Sequence, residues 1–407
     1  MLSTFSFPNK IIFGCGAVNS IPEIVKDFSI KRVLIITDKG MVKSGLVNKV
    51  TDNLRKAGLE HALFDGISPN PTEDNVYAGI ERYCSERCDF IIGLGGGSSL
   101  DAAKAIRLKA THDLPLAEYD AQKGGAEKIS PDMPGMIAVP TTAGTGSEVG
   151  RGAVITIKST GRKTLIFGPY LIPSVAVVDP ELTIGLPKTL TAYTGMDALT
   201  HNLESYLSIQ YHPICDAIAI KGVQIAGAYL RRAVENGKDI EARANMMMAA
   251  MMGAIAFQKD LGVAHSLAHP LSTIAGIHHG LANAIVLPHT MEFNFEHANQ
   301  TFSFPNRKSS IIKKRKGDYS LERLRDIADA LGVNISGMSL DDAAQAAIVQ
   351  IKQLEKDIGI PEKLRDVGVS ADMIPELAEQ AMEDRCHLTN PRKCSKEDMV
   401  YLYNKSL

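Results

Sequence analysis

The sequence has no charge excess, no closely spaced cysteine pair and no apolar run long enough to cross a membrane. Each absence excludes a class. The formal net charge is −2 over 407 residues, so no global positive field attracts nucleic acid. The six cysteines, Cys15, Cys84, Cys88, Cys215, Cys386 and Cys394, are scattered without a CxxC spacing. They read as reduced thiols of a cytoplasmic protein, not as a disulfide frame or a structural zinc knot. The longest apolar stretches, such as Met246 to Phe257, fall well short of a span of roughly 20 residues. The opening MLSTFSFPNK lacks a charged segment followed by an apolar one, so it does not read as a secretory signal. The expected partner is therefore a small molecule, with neither nucleic acid nor membrane.

A chain of this length suits two domains better than one core. The first half alternates strand and helix signals. Buried strands are expected at Lys31–Asp38, from Asp89 into Gly95, and from Gly135 into Thr141, with a further strand near Leu63–Asp65. Helices are expected at Met41–Ala57, Asp74–Cys84 and Ser99–Lys109. This alternation implies a parallel sheet covered by helices. From about Thr189 the strands stop, and Ala-, Met- and Leu-rich periodic segments follow at Ala192–Ser208, Pro213–Asn236, Ile240–Gln258 and Leu340–Asp357. We therefore expect an α/β domain over residues 1–187 and an all-α domain over 188–407. A basic stretch, Arg307–Lys316, reads as a solvated surface loop, and a helix restarts at Ser320.

Two glycine loops follow buried strands. Gly95-Gly96-Gly97-Ser98-Ser99 lacks the GxGxxG spacing, yet its glycines allow close backbone approach to a pyrophosphate at a helix start, where the serines can also donate. A merely tight turn is the alternative. Thr141-Thr142-Ala143-Gly144-Thr145-Gly146-Ser147-Glu148 gathers hydroxyls where ligands collect in open α/β sheets. Asp38, at the end of the first expected strand, can accept from ribose hydroxyls and repel a 2′-phosphate, which favours NAD over NADP; it can equally cap the following helix.

Seven of the 11 histidines lie between His201 and His289, and His265, His269, His278 and His279 are crowded within that stretch. Asp197 and His201 stand four apart, as do His265 and His269, so each pair shares a helical face. A carboxylate with three imidazoles suits Fe²⁺ or Zn²⁺.

Taken together, GGGSS, PTTAGTGSE, GMDALTH, HSLAHPL and HHGLANAIVLPH resemble the iron-containing alcohol dehydrogenases over nearly the whole chain. The resemblance implies a nucleotide-binding α/β domain, a helical domain, a catalytic cleft between them, and assembly as at least a dimer. It implies Asp197, His201, His265 and His279 as metal ligands, and His269 as a catalytic histidine near nicotinamide and substrate. Asp38, Asn70, Gly96, Gly97, Ser98, Thr141, Thr142, Thr145 and Lys163 match cofactor-contacting positions. The segments Phe257–Gly262, Ile277–Gly280 and Cys386–Pro391 look most like the 4-hydroxybutyrate dehydrogenase branch.

The implied reaction is hydride transfer between NAD(H) and a small primary alcohol or aldehyde. A substrate carboxylate needs a cation, since an unpaired buried charge is costly. Lys259 is the first candidate, with Arg151 and His278 behind it and Phe257 and Cys386 as further pocket residues. General alcohol or diol dehydrogenation, reduction of a sulfonate or phosphonate aldehyde, and hydroxyacid–oxoacid transhydrogenation on the same scaffold are the alternative activities. A dehydroquinate-synthase-like enzyme would require a dense basic phosphate site near the metal, which is not seen. The complete Asp–His–His–His set weighs against a non-catalytic role.

Overall fold

The runs that read as strands pair into one parallel sheet. The computed structural model describes residues 5–7, 9–296 and 319–407, which fall into two compact units. One unit spans residues 7–186; the other spans 187–407 and includes Phe5 and Ser6. The N-terminal residues thus belong with the helical unit, where the Ser6 amide donates to Gln258 Oε1 at 2.9 Å. Arg307–Lys316 lies outside the described residues.

In the first unit the strands are β1 (Lys10–Phe13), β2 (Arg32–Ile36), β3 (Glu60–Phe64), β4 (Phe90–Gly95), β5 (Gly135–Pro140), β6 (Gly152–Ile157), β7 (Arg162–Phe167) and β8 (Val175–Val178). Six form a sheet in the order β1-β8-β5-β4-β2-β3, every pair parallel. β6 and β7 form an antiparallel hairpin. Helices α1 (Ile21–Asp27), α2 (Lys39–Lys43), α3 (Leu46–Lys56), α4 (Glu73–Ser85) and α5 (Gly97–Lys109) complete the unit.

The continuous apolar runs follow from burial on both faces. Val33 and Ile35 of β2, with Phe90 and Ile92 of β4, pack against Ile24, Val50 and Leu54 from α1 and α3. Leu34 and Ile36, with Ile91, pack on the other face against Val76, Leu100 and Ile106 from α4 and α5. Each such side chain contributes about 1.5–3 kcal/mol when removed from water. The expected helix Met41–Ala57 is interrupted, because Gly45 takes a left-handed conformation, φ 76°, between α2 and α3. From β2 the chain passes to β3 on one side and returns to β4 on the other. The order of connection reverses between β2 and β4, so a crevice opens at their carboxyl ends.

The second unit contains α6 (Lys188–Leu207), α7 (Pro213–Glu235), α8 (Ile240–Ala256), α9 (Val263–Thr273), α10 (His279–Glu296), α11 (Tyr319–Ala330), α12 (Leu340–Asp357), α13 (Ile374–Glu383) and α14 (Lys396–Ser406). Among the described residues no helix is long and apolar enough to cross a membrane. α6 is buried almost all round from Thr191 to Leu207 and packs against α7, α8 and α10. A buried amide ties two of them together: Asn202 Nδ2 donates to Ala198 O at 2.7 Å and to Ala249 O of α8 at 2.8 Å.

This close approach depends on a glycine. A Cβ at Gly222 of α7 would lie 1.8 Å from Asn202 Oδ1, whereas one at Gly185 would meet nothing within 4 Å. Gly222→Ala should therefore cost about 1–3 kcal/mol through overpacking. Urea unfolding should show a lower midpoint for it and a wild-type midpoint for Gly185→Ala. Equal midpoints for both variants would refute the packing argument.

Candidate active site

At the carboxyl ends of β2, β4 and β5 the two glycine loops close on one another. Gly96 is the N-cap of α5. A side chain at Gly97 would lie 2.7 Å from Thr145 Oγ1, and one at Gly96 would lie 3.4 Å from Thr142 Cγ2. Thr141 N donates to Gly95 O at 3.0 Å. At Gly97 the absence of a Cβ is what leaves room for the Thr145 side chain, whereas at Gly96 the contact would be an ordinary one. Asp38 does cap α2: its Oδ1 accepts from Gly40 N at 2.8 Å and Met41 N at 3.1 Å. Its Oδ2 accepts from Ser99 Oγ at 3.1 Å, bridging β2 and β4 at their crevice.

The serines differ from expectation. Ser98 Oγ donates to Pro69 O at 2.5 Å, tying the Asn70 turn to the glycine loop, and Ser99 Oγ donates to Asp38. Their hydroxyl protons are engaged within the protein, which leaves backbone N–H groups and threonine hydroxyls to face a phosphate. Lys163 sits on β7 opposite Thr156, where burial lowers its pKa while Asp101 draws it upward. A brace that sequence reading missed lies beneath the second loop. Lys104 Nζ donates to Ser147 Oγ at 2.7 Å and Gly152 O at 2.8 Å, and Ser147 Oγ donates to Asp101 Oδ1 at 2.6 Å.

In the helical unit, α6 presents Asp197 and His201, α9 presents His265, and His279 is the first residue of α10. Donor atoms of Asp197, His265 and His279 all lie within 4.8 Å of one another. Asp197 Oδ1 is 3.5 Å from His279 Nε2 and 4.0 Å from His265 Nε2. His201 stands beside this group, its ring 4.5 Å from that of His265 and its Nδ1 3.9 Å from Asp197 Oδ2. Its Nδ1 is buried with no hydrogen-bond partner among the described residues. Burial pushes the His201 imidazole down to about 4, which keeps it neutral, as a metal ligand must be.

His265 is oriented by a carboxylate, since its Nδ1 lies 2.7 Å from Glu204 Oε2. Burial alone would lower its pKa, but the hydrogen bond and charge of Glu204 outweigh this and the net direction is up. Asn283 Nδ2 reaches into the group, 2.9 Å from Asp197 Oδ1, 3.3 Å from His265 Nε2 and 3.2 Å from His279 Nε2. Its own Oδ1 is buried without a partner among the described residues. An amide donor thus sits where acceptors converge. Converging carboxylate and imidazole acceptors, with an orphaned imidazole nitrogen beside them, form an N/O set that fits Fe²⁺ or Zn²⁺.

His269, four residues beyond His265, stacks on His279 at 5.1 Å with 9° between the rings. Its side chain is 39% exposed, more than the 29% of His279 or the nearly buried Asp197, His201 and His265. Its Nδ1 lies 2.7 Å from Asp384 Oδ2. Asp384 Oδ1 also accepts from Ser266 Oγ at 2.8 Å and from Cys386 N at 2.8 Å. Burial alone would raise the Asp384 pKa, but His269 and these donors hold it below the usual carboxylate range. Cys386 has donor atoms within 4.8 Å of His269 and Asp384, yet burial and the Asp384 charge keep its thiol protonated.

The substrate candidates scatter, and one is overturned. Lys259 does not present a free cation. It is 1% exposed, and its Nζ contacts Asp216 Oδ1 at 2.5 Å and Tyr206 O at 3.4 Å. Arg323 joins from α11, donating to Asp216 Oδ2 at 2.7 Å. Burial pushes the Lys259 ammonium down to about 8 against the upward pull of Asp216. The lysine is one corner of an internal ion triad because the short helical turn at Phe257–Lys259 directs it towards α7. Phe257 does lie beside the metal-ligand candidates, its ring 5.4 Å from that of His201. His278 is exposed, 5.5 Å from the Tyr193 ring. Arg151 belongs to the α/β unit, stacked over Phe167 at 5.4 Å.

Sequence reading also missed Glu204, Asn283 and Asp384. Glu204 carried a signal: Asp197, His201 and Glu204 are spaced by four and three and share one helical face. Asp384 carried none, because its partner His269 is 115 residues away.

Residues 8–180 match the family described as "Iron-containing alcohol dehydrogenase", and residues 191–407 match "Fe-containing alcohol dehydrogenase family, C-terminal". The chain is 39% identical over 402 residues to a 1,3-propanediol dehydrogenase of Klebsiella pneumoniae, covering 98% of this chain and 97% of that one. It is 38% identical over 397 residues to a 4-hydroxybutyrate dehydrogenase of Cupriavidus necator, covering 96% of each. A crystal structure of a 1,3-propanediol oxidoreductase superposes with a TM-score of 0.91 at 38% identity over 100% of both chains. With its parallel-sheet and helical units and these matches across nearly its whole length, the chain belongs to the iron-containing alcohol dehydrogenase family, oxidoreductases acting on alcohols.

Proposed function

We propose that the chain is an NAD-linked, iron-dependent dehydrogenase of short primary alcohols, with 4-hydroxybutyrate and succinate semialdehyde as its substrate pair. The observation that carries this reading is the convergence of Asp197 Oδ1, His265 Nε2 and His279 Nε2 around a shared amide donor. Asp197, His265 and His279, joined by the adjacent His201, would hold the iron, and the same N/O set accepts Zn²⁺. Bound iron supplies Lewis acidity for a substrate oxygen, and NAD supplies the hydride acceptor. His269, clamped at Nδ1 and partly exposed, carries a proton between the substrate oxygen and solvent. Asp38 receives the adenosine ribose, and the backbone of Gly96, Gly97 and Ser98, with Thr141, Thr142, Thr145, Lys163 and the Asn70 turn, receives the phosphates.

The substrate pair rests on the likeness at Phe257–Gly262, Ile277–Gly280 and Cys386–Pro391 and on the similarity to the Cupriavidus necator enzyme. It no longer rests on Lys259, which is paired internally. Phe257, His278 and Cys386 remain as the pocket candidates of the helical unit.

His265→Ala and His279→Ala should each lose bound iron and nearly all activity while keeping the wild-type circular dichroism spectrum. Elemental analysis showing full iron content in both would refute the metal assignment.

Wild type should prefer NAD over NADP. Loss of the Asp38 carboxylate in Asp38→Gly should narrow that preference by about 10- to 150-fold, the worth of a charge-assisted hydrogen bond of roughly 1.5–3 kcal/mol. The check is kcat/KM with each cofactor. Equal use of both by wild type would remove Asp38 as the selector.

For substrate charge, kcat/KM should be higher for succinate semialdehyde than for butanal, a diol-derived aldehyde or a sulfonate aldehyde. Lys259→Met should destabilise the fold by about 1–3 kcal/mol, the cost of a lost buried charge-assisted bond while Arg323 still pairs Asp216, and leave the semialdehyde-to-butanal ratio unchanged. A selective loss on the semialdehyde would restore Lys259 as the carboxylate partner. A wild type that favours butanal or the diol aldehyde would sink the hydroxyacid reading.

A further inference from the structure

Glu204 is 3% exposed and lies two helical turns beyond Asp197 on α6. It accepts four hydrogen bonds: from Gly262 N at 3.1 Å, Ala264 N at 2.6 Å, His265 N at 3.3 Å and His265 Nδ1 at 2.7 Å. Three of these fall on Oε2 and one on Oε1, so both oxygens are engaged. Three of the donors are amides at the start of α9, which have no partner within the helix. The helix cannot satisfy them itself, because its N-cap is Gly262. Glycine is needed there for the same reason: a Cβ would lie 2.6 Å from Glu204 Oε1.

We propose that Glu204 is a positioning residue for the metal centre, fixing both the ring tautomer of His265 and the first turn of the helix that carries it. The inference rests on the metal reading above. An ionised carboxylate only accepts, so the ring nitrogen facing it must be the donor. Nδ1 then carries the proton, and Nε2 faces Asp197 and His279 as a bare acceptor ready for a cation. The amide bonds fix where the ring begins, and the Nδ1 bond fixes how it is turned. Glu204 with Asp197 also supplies two negative charges opposite a buried divalent ion, which balances a charge that would otherwise be costly to bury. Outer partners of this kind commonly alter metal affinity by about 10- to 100-fold.

The test uses Co²⁺ as the probe on metal-free full-length protein, with a competing chelator to read affinity and the visible absorption of bound Co²⁺ to read geometry. Glu204→Gln keeps the size but removes the charge, and in either orientation its NH₂ opposes donors, Ala264 N at the Oε1 place or Gly262 N, His265 N and His265 Nδ1 at the Oε2 place. We expect Co²⁺ affinity to fall by about 10- to 100-fold with an altered visible spectrum, alongside a lower metal-free melting temperature from the weakened start of α9. A lower melting temperature with wild-type affinity and spectrum would mean Glu204 is only a helix cap, and would overturn the proposal. Should Glu204→Gln fail to fold, ¹⁵N-histidine spectra of metal-free wild type decide, with His265 assigned by its loss in His265→Ala. A protonated Nδ1 supports the proposal, and a protonated Nε2 overturns it. If wild type binds no Co²⁺, the metal reading itself falls and takes this inference with it. If wild type binds Co²⁺ and His265→Ala does not, the metal reading stands whatever Glu204→Gln shows.

Discussion

The helical unit is organised around buried lone pairs aimed at one another. Asp197 Oδ1 and the Nε2 atoms of His265 and His279 are all acceptors, and two of their separations are 3.5 and 4.0 Å. Asn283 Nδ2 has only two protons for these three atoms, so without a cation one acceptor is left short, at about 1–3 kcal/mol. Three helices must therefore be held in place against that cost. Asn202 locks α6 to α8, Glu204 anchors the start of α9, and Tyr403 Oη donates to Leu267 O of α9 at 2.8 Å. The near-total burial of α6 follows from the same need. A helix carrying two ligand candidates and the residue that orients a third must be fixed on every side.

The α/β unit meets a different constraint. Apart from Lys163 on β7, the groups proposed to face the cofactor sit in loops or in the first turn of α5, at the ends of strands. Hydrogen bonds between these segments hold them in place. Asp38 joins Ser99, Ser98 joins Pro69, and Thr141 joins Gly95, all at the reversal point of the sheet. The Asp101–Lys104–Ser147 brace extends the same tie to the far end of the second loop. Loops fixed before a ligand arrives lose less freedom on binding. The serine hydroxyls therefore contribute by fixing the cradle, while the glycines leave its amides accessible.

Legibility in the sequence followed the range of the interaction. β2, β4 and β5 were readable because burial on both faces leaves an unbroken apolar run. β1 and β8 were not singled out: each is four residues long, and β1 is only partly buried. Gly45 broke an expected helix because its left-handed turn outweighs the periodicity on either side. Asp197, His201 and His265 were legible because helical spacing puts them on shared faces, and His279 because it stands among crowded histidines. The residues that orient these groups were not. Glu204 acts on a ring 61 positions away, and Asp384 on one 115 positions away. Lys259 was misread for the same reason. Its place after Phe257 suggests a pocket, but its direction is set by Asp216, 43 positions earlier, which also binds Arg323, 107 positions later.

With Lys259 removed from the pocket, the charge balance around the candidate ligands takes on a different meaning for selectivity. Asp197 and Glu204 are buried carboxylates, and Asp384, held ionised by its donors, stands behind His269. A divalent ion offsets two of these three charges. A substrate carboxylate brought close would add a further negative charge to a site that already has one in excess, and unlike a neutral diol it would be repelled. Repulsion between charges weakens with distance and with access to water. Under the proposed function, a hydroxyacid avoids more of this repulsion the further its chain carries the carboxylate from these three acids.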